Sequence, residues 1–244
     1  MMSETASKAH AVPVEPKRRA VVLALALASI AAPAVRAQNM GDANFDASAY
    51  NLNAQLLAVA RKGDAVRAAA LLERGAAPNA RNRNGETALM MFARKGDLDM
   101  VRLLLTRGAD VNLGALDKTT PLMAAAYGGH QAVVATLLQA GAELNALDQL
   151  RKTAMVYAAG SGRAGIVGLL LDRGVPVDAR YEHDLTALMW AAGAGSESTV
   201  RTLLERGADA SLRDDRGLSA AEIAGKAGHT AVARVLTGGS PSAK

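Results

Sequence analysis

Cysteine is absent and histidine occurs four times, so any imidazole-based acid–base or metal chemistry must be built around His10, His130, His183 and His229. The lack of thiols removes disulfides, thiolate-bound zinc and a cysteine nucleophile. It leaves the compartment open, because exported proteins also do without cysteine. His130 and His229 each follow a glycine, Gly129 and Gly228, at equivalent points of a repeating pattern, which assigns them a structural part in a turn. His183 stands between Glu182 and Asp184, side chains that could ligate a cation or exchange a proton. Zinc and acid–base sites draw convergent groups from several elements, however, and one histidine with two sequence neighbours reads as a solvated loop. No Gly-x-Ser-x-Gly elbow, phosphate-cradling glycine loop or His-Glu-x-x-His pair occurs. The expectation is a chain with no catalytic residue, no metal and no cofactor, and therefore not an enzyme.

His10 lies in a segment unlike the rest. Lys17, Arg18 and Arg19 precede a run from Ala20 to Ala32 whose one polar residue is Ser29, followed by Pro33 and Val35-Arg36-Ala37. This is the layout of a secretory signal peptide over residues 1–37, cut after Ala37. The apolar run is about 13 residues where a spanning helix needs roughly 20, so no stable membrane insertion is expected after cleavage. An uncleaved anchor and a buried N-terminal helix stand as alternatives. Arg18-Arg19 also loosely resembles a twin-arginine signal, although ordinary signal charges for the general secretory route look the same. Losing this segment removes five cations and two acids, so the net charge falls from +5 to +2. No block of like charge remains to bind nucleic acid. Residues 38–49 are read as a linker.

From about residue 50 the chain repeats every 33 residues. Gly63, Gly96, Gly129, Gly162, Gly195 and Gly228 form one column, and Leu71, Leu104, Leu137, Leu170, Leu203 and Leu236 another. A third runs Gly75, Gly108, Gly141, Gly174 and Gly207, and a fourth Thr87, Thr120, Thr153, Thr186 and Ser219. Thr or Ser there caps a helix start, and Pro121 fits the first helical position. The helix that follows carries Leu89, Phe92 and Ala93, or Leu188, Ala191 and Ala192, at helical spacing and stops at the first glycine column. A second helix brings Val101, Leu104 and Leu105, or Val134, Leu137 and Leu138, to one face before the third column ends it. Neither helix can bury its face alone, so the units must stack, joined by polar turns or short hairpins such as 79–86. With aromatics at 3% and Ala, Leu and Gly abundant, short close-packed helices fit better than a sandwich of large β-forming side chains.

Pro121-Leu122, Ala125-Ala126, Gly129-His130 and Gly108-Ala109-Asp110-Val111-Asn112, set in this period, resemble the ankyrin repeat family over roughly residues 50–237. The resemblance implies an all-α solenoid of about six 33-residue helix-turn-helix units joined by β-turn or hairpin loops. One departure is systematic. The family's His after Thr-Pro-Leu is replaced by Met90, Met123, Val156, Met189 and Glu222, so its bond to Thr is unavailable and Met packing must substitute. Such Met-bearing units look like those of bacterial ankyrin proteins. The ends read as caps: Ala54 stands where later units have Thr, Arg67 where they have Met100, Val133 and Ile166, and Glu222 takes the Met position of the last unit. Residues 238–244 are read as a disordered tail.

In proteins of this kind partners lie against the concave face, made of the joint tips and the exposed ends of the first helices. By register these positions are Arg61, Lys62, Arg94, Lys95, Leu116, Asp117, Tyr127, Gln149, Leu150, Glu182, His183, Leu185, Asp215, Arg216 and Lys226. The first units offer two Arg-Lys pairs one repeat apart. The middle offers Leu116, Tyr127, Leu150 and Leu185, with Tyr157 and Trp190 either packed between first helices or part of the same surface. Aromatic and Arg residues dominate interface energies. The resulting expectation is a monomeric, non-catalytic protein-binding module of the bacterial periplasm, with an exported effector acting outside the producing cell as the alternative and an unrecognised enzyme as a third reading.

Overall fold

The computed structural model describes residues 47–238. The segment read as a signal peptide, residues 38–46 of the linker and residues 239–244 of the tail lie outside the described residues. Twelve α-helices follow in pairs: α1 (Ala47–Lys62) with α2 (Ala65–Glu73), α3 (Ala88–Lys95) with α4 (Leu98–Thr106), α5 (Pro121–Gly128) with α6 (Gln131–Gln139), α7 (Ala154–Gly160) with α8 (Ala164–Asp172), α9 (Ala187–Gly193) with α10 (Glu197–Glu205), and α11 (Ala220–Lys226) with α12 (Thr230–Leu236). The first helices pack in one row and the second helices in another, each against its counterpart in the next unit.

The capping column behaves as the sequence predicts. The hydroxyls of Thr87, Thr120, Thr153, Thr186 and Ser219 accept from the backbone N–H three residues on. At the helix ends Gly96 and Gly129 are left-handed caps, φ 79° and 86°. Gly96 has a second reason to be glycine, because a Cβ there would lie 2.3 Å from His130 Nδ1. His130 reaches back one unit, its Nε2 2.9 Å from the Arg94 carbonyl oxygen, and His229 covers Gly195 in the same way. The structural part assigned to the Gly-His turns is therefore concrete: each ring seals the turn of the preceding unit.

The core is one continuous strip containing Leu89, Phe92, Leu104, Leu122, Leu137, Leu170, Leu188 and Leu203, all fully or almost fully buried. Met90, Met123, Val156 and Met189 are buried as well, so apolar packing does fill the place of the family's His. At Thr120 a trace of the missing bond persists, its N–H pointing at Met123 Sδ over 3.5 Å. The units are also stitched by side chains: Asn79 Oδ1 accepts from Asp110 N–H while its amide donates to the Gly108 carbonyl, and Asn112 repeats this with Glu143 and Gly141.

Three expectations change at the ends and joints. The first helix begins at Ala47, about two turns before the position of the later first helices, so residues 47–49 belong to the array and not to the linker. Ala54 therefore lies inside a helix, and a capping Thr would have no work there. At the other end α12 stops at Leu236 and Gly238 turns with φ 78°, so Gly238 closes the last helix instead of starting a tail. Hairpins reduce to two isolated bridges among the described residues, Arg81 with Thr87 and Arg213 with Ser219. Arg67 is solvated as expected.

Candidate functional site

Five joints present their tips beside the ends of the first helices, and one register positions them all. Residues 82, 148 and 214 are Asn or Asp whose Oδ1 accepts two backbone N–H groups, fixing each tip as a turn. Three residues further on the backbone is left-handed: Gly85 and Gly217 take this conformation freely, whereas Lys118 (φ 63°), Arg151 (φ 53°) and Asp184 (φ 55°) adopt it as non-glycine residues. Where the Asx position holds Tyr181, the tip is rebuilt as a 3-10 turn over Glu182–Asp184 and His183 is left-handed too.

Backbone bonds run from tip to tip. Leu116 N–H donates to the Asn84 carbonyl, Gln149 N–H to that of Asp117 and Asp215 N–H to that of His183. Gln149 Nε2 adds a bond to the Leu116 carbonyl. Between the remaining pair of tips an Arg151–Glu182 ion pair of 2.9 Å takes over. Most of the positions named from the register thus lie on one inner face, made of tips and first-helix ends.

Their roles differ. Leu116, Tyr127 and Leu150 are more than half exposed apolar side chains. Arg61, Lys62 and Lys226 are exposed cations at the two ends. Arg94 is engaged by Glu86 at 2.8 Å, whereas Lys95, whose stem lies over Gly63, is exposed and makes no ion pair among the described residues. Burial works against the Glu86 charge, but the Asn82 and Arg94 bonds outweigh it and hold the carboxyl below its ordinary range. His183 Nδ1 meets Asp215 Oδ2 at 2.8 Å, an exposed pair that links adjacent tips. Among the described residues no group of three or more His, Asp or Glu gathers as a metal site would need.

Beside this strip lies a half-open hollow of about 450 Å³, walled by Tyr127 of α5, Tyr157 of α7, Trp190 of α9 and Ile223 of α11, with Lys152, Leu185 and Arg216 at its edge. Tyr157 is anchored: its hydroxyl donates to Asp148 Oδ2 over 2.6 Å, and the Asp148 carboxylate is buried. Burial, followed by the hydrogen bond to Asp148 and then its charge, pushes the phenol far above its usual range, so it remains a donor. Tyr127 meets the Tyr157 ring edge-on at 6.2 Å. Lys152 Nζ sits 5.9 Å from the Tyr157 ring centre and 5.1 Å from that of Trp190. Arg216 directs Nε and Nη2 to Asp214, whose carboxyl burial would raise but backbone donors and the guanidinium hold low.

Tyr157 and Trp190 are thus both core and surface, half-buried against the strip while lining the hollow. Register counting missed Lys152, Asp148 and Ile223. Lys152 stands one repeat before Leu185, so the column that identified Leu185 contained the signal; Asp148 was hidden because its burial comes from the next first helix.

No curated protein matches the chain. A family model described as ankyrin repeats (3 copies) matches residues 56–148 and 141–214. That match spans well over half of the chain and falls on the stacked helix pairs with their capping Thr, sealed Gly turns and bonded joint tips. The chain belongs to the ankyrin repeat family.

Proposed function

We propose that the chain is a non-catalytic protein-binding module of the bacterial periplasm that holds a folded partner on its inner face. The observation that carries this reading is the clustering of exposed Leu116, Tyr127 and Leu150 on a face whose backbone is fixed tip to tip. A rigid apolar patch loses little conformational freedom on binding, and such patches mark interaction sites. Ankyrin repeats in general serve interaction and not catalysis, which supports the same reading. For the compartment, the support is the pattern from Lys17 to Ala37; it serves an effector released from the cell equally well, and fractionation of the producing cells separates the two. Among the described residues no helix is long and apolar enough to cross a membrane, and a monomer that avoids nucleic acid fits the small charge left after cleavage.

The test is kinetic. With a partner recovered from a periplasmic extract and captured for surface plasmon resonance, Tyr127→Ala should speed dissociation and cost on the order of 2 kcal/mol. Replacing Arg61 and Lys62 with Ser should slow association and flatten its salt dependence. Unchanged kinetics in all these variants, with native circular dichroism, would reject the inner face.

A further inference from the structure

The hollow holds one cation without a carboxylate partner. The Lys152 ammonium lies over the aromatic faces of Tyr157 and Trp190, and no carboxylate among the described residues pairs with it. A cation seated on apolar and aromatic walls asks for an anionic acceptor. The walls ask for something else: Tyr127, Tyr157, Ile223 and Leu185 offer apolar and aromatic surface around a space that suits one large side chain.

Resting on the protein-binding reading above, we infer that this hollow is the anchor pocket of the inner face, taking a bulky apolar side chain of the partner together with a carboxylate next to it in the partner's chain. The apolar group enters between Tyr127 and Trp190. The carboxylate meets the Lys152 ammonium. Charge complementarity selects this occupant over a basic or purely apolar one. The choice of a protein segment over a small free acid follows from the setting, since Tyr127 both lines the hollow and is exposed like the neighbouring apolar Leu116 and Leu150. Of the nearby acids, Asp214 is paired with Arg216, and Asp148 is taken up by the Tyr157 hydroxyl and two backbone N–H groups.

Trp190 is the chain's single tryptophan, so its fluorescence reports the hollow directly. Titration of the whole protein with the capped tetrapeptide acetyl-Gly-Phe-Glu-Gly-amide should give a saturable change in emission. Its Kd should be at least about tenfold below those of the Phe-Lys and Ala-Glu counterparts, the usual size of a lost charged hydrogen bond. Lys152→Met keeps the stem over the rings and should raise the Phe-Glu Kd about tenfold while leaving the Phe-Lys value and the circular dichroism unchanged. Absence of a saturable response at millimolar peptide, equal affinity for Phe-Lys, or an unaffected Lys152→Met variant each overturns the inference. Phenylacetate binding as tightly as the Phe-Glu peptide overturns it too, by assigning the hollow to a free aromatic acid. A captured partner whose binding depends on Tyr127 but is indifferent to Lys152→Met would leave the protein-binding reading standing and this pocket rejected.

Discussion

Gly96→Ala in combination with His130→Ala tests the sealing of one unit by the next. Two separate costs meet at Gly96. Its φ of 79° is left-handed, which for an L-residue costs about 1–2 kcal/mol. Its added Cβ would also stand 2.3 Å from His130 Nδ1, so the ring must shift and lose its bond to the Arg94 carbonyl, an overpacking cost of about 1–3 kcal/mol. Together Gly96→Ala should destabilise by about 2–5 kcal/mol. Gly75 isolates the first cost, having φ 93° and open space where a Cβ would go, so Gly75→Ala should lose only about 1–2 kcal/mol. In a His130→Ala background the clash is gone and Gly96→Ala should fall to the Gly75→Ala level. Urea unfolding followed by circular dichroism on the four variants gives the cycle. A coupling energy of about 1–3 kcal/mol is expected; effects that add to within about 0.5 kcal/mol would refute the claim that the ring sets the identity of Gly96.

Leu137→Ala should cost about 2–5 kcal/mol in chemical denaturation, because Leu137 is fully buried between two neighbouring units; Leu236→Ala, half-buried in the last and shortened helix, should cost clearly less, and equal losses would contradict the nearest-neighbour account. Lys118→Gly should stabilise by about 0.5–1 kcal/mol by relieving a left-handed non-glycine residue, whereas Arg151→Gly should gain less because it also gives up the Glu182 pair; a loss in thermal unfolding for Lys118→Gly would show that this tip is not strained. The lowered carboxyls of Asp214 and Glu222, ordinarily near 3.8 and 4.5, release protons on folding, so their stabilisation is complete above about pH 4.5 and is lost as pH falls through their lower folded values. Ser219→Ala together with Arg213→Ala, which removes donors that hold Glu222 low, should flatten the acid limb of the stability curve; an unchanged limb would contradict the assignment. The mass of the exported chain, read by mass spectrometry, should correspond to a start at Gln38, and one still containing Lys17 to Ala37 would end the cleavage proposal.

What the sequence determined by itself is the repeat and almost everything local to it. A 33-residue period with Thr before each first helix and Gly after it specifies helix starts and stops, since capping bonds and left-handed turns are decided by residues a few positions apart. Burial of the Leu columns followed, because an amphipathic helix of nine residues or fewer has no stability without a neighbour. The two ends escaped this logic. α1 extends beyond the repeat because Ala54 stands where later units have the Thr or Ser that caps the first helix, and α12 stops early because Gly238 arrives two residues before the register expects a turn. The inner face was legible as a set of positions and not as a site. Side chains 33 residues apart become neighbours only when units stack, so the engagement of Arg94 by Glu86, the cover of Gly63 by Lys95, and the meeting of Tyr127, Tyr157, Trp190 and Lys152 around one hollow depend on rotamers and on the offset between units. Those are set by packing across the stack, a tertiary quantity that no single repeat contains.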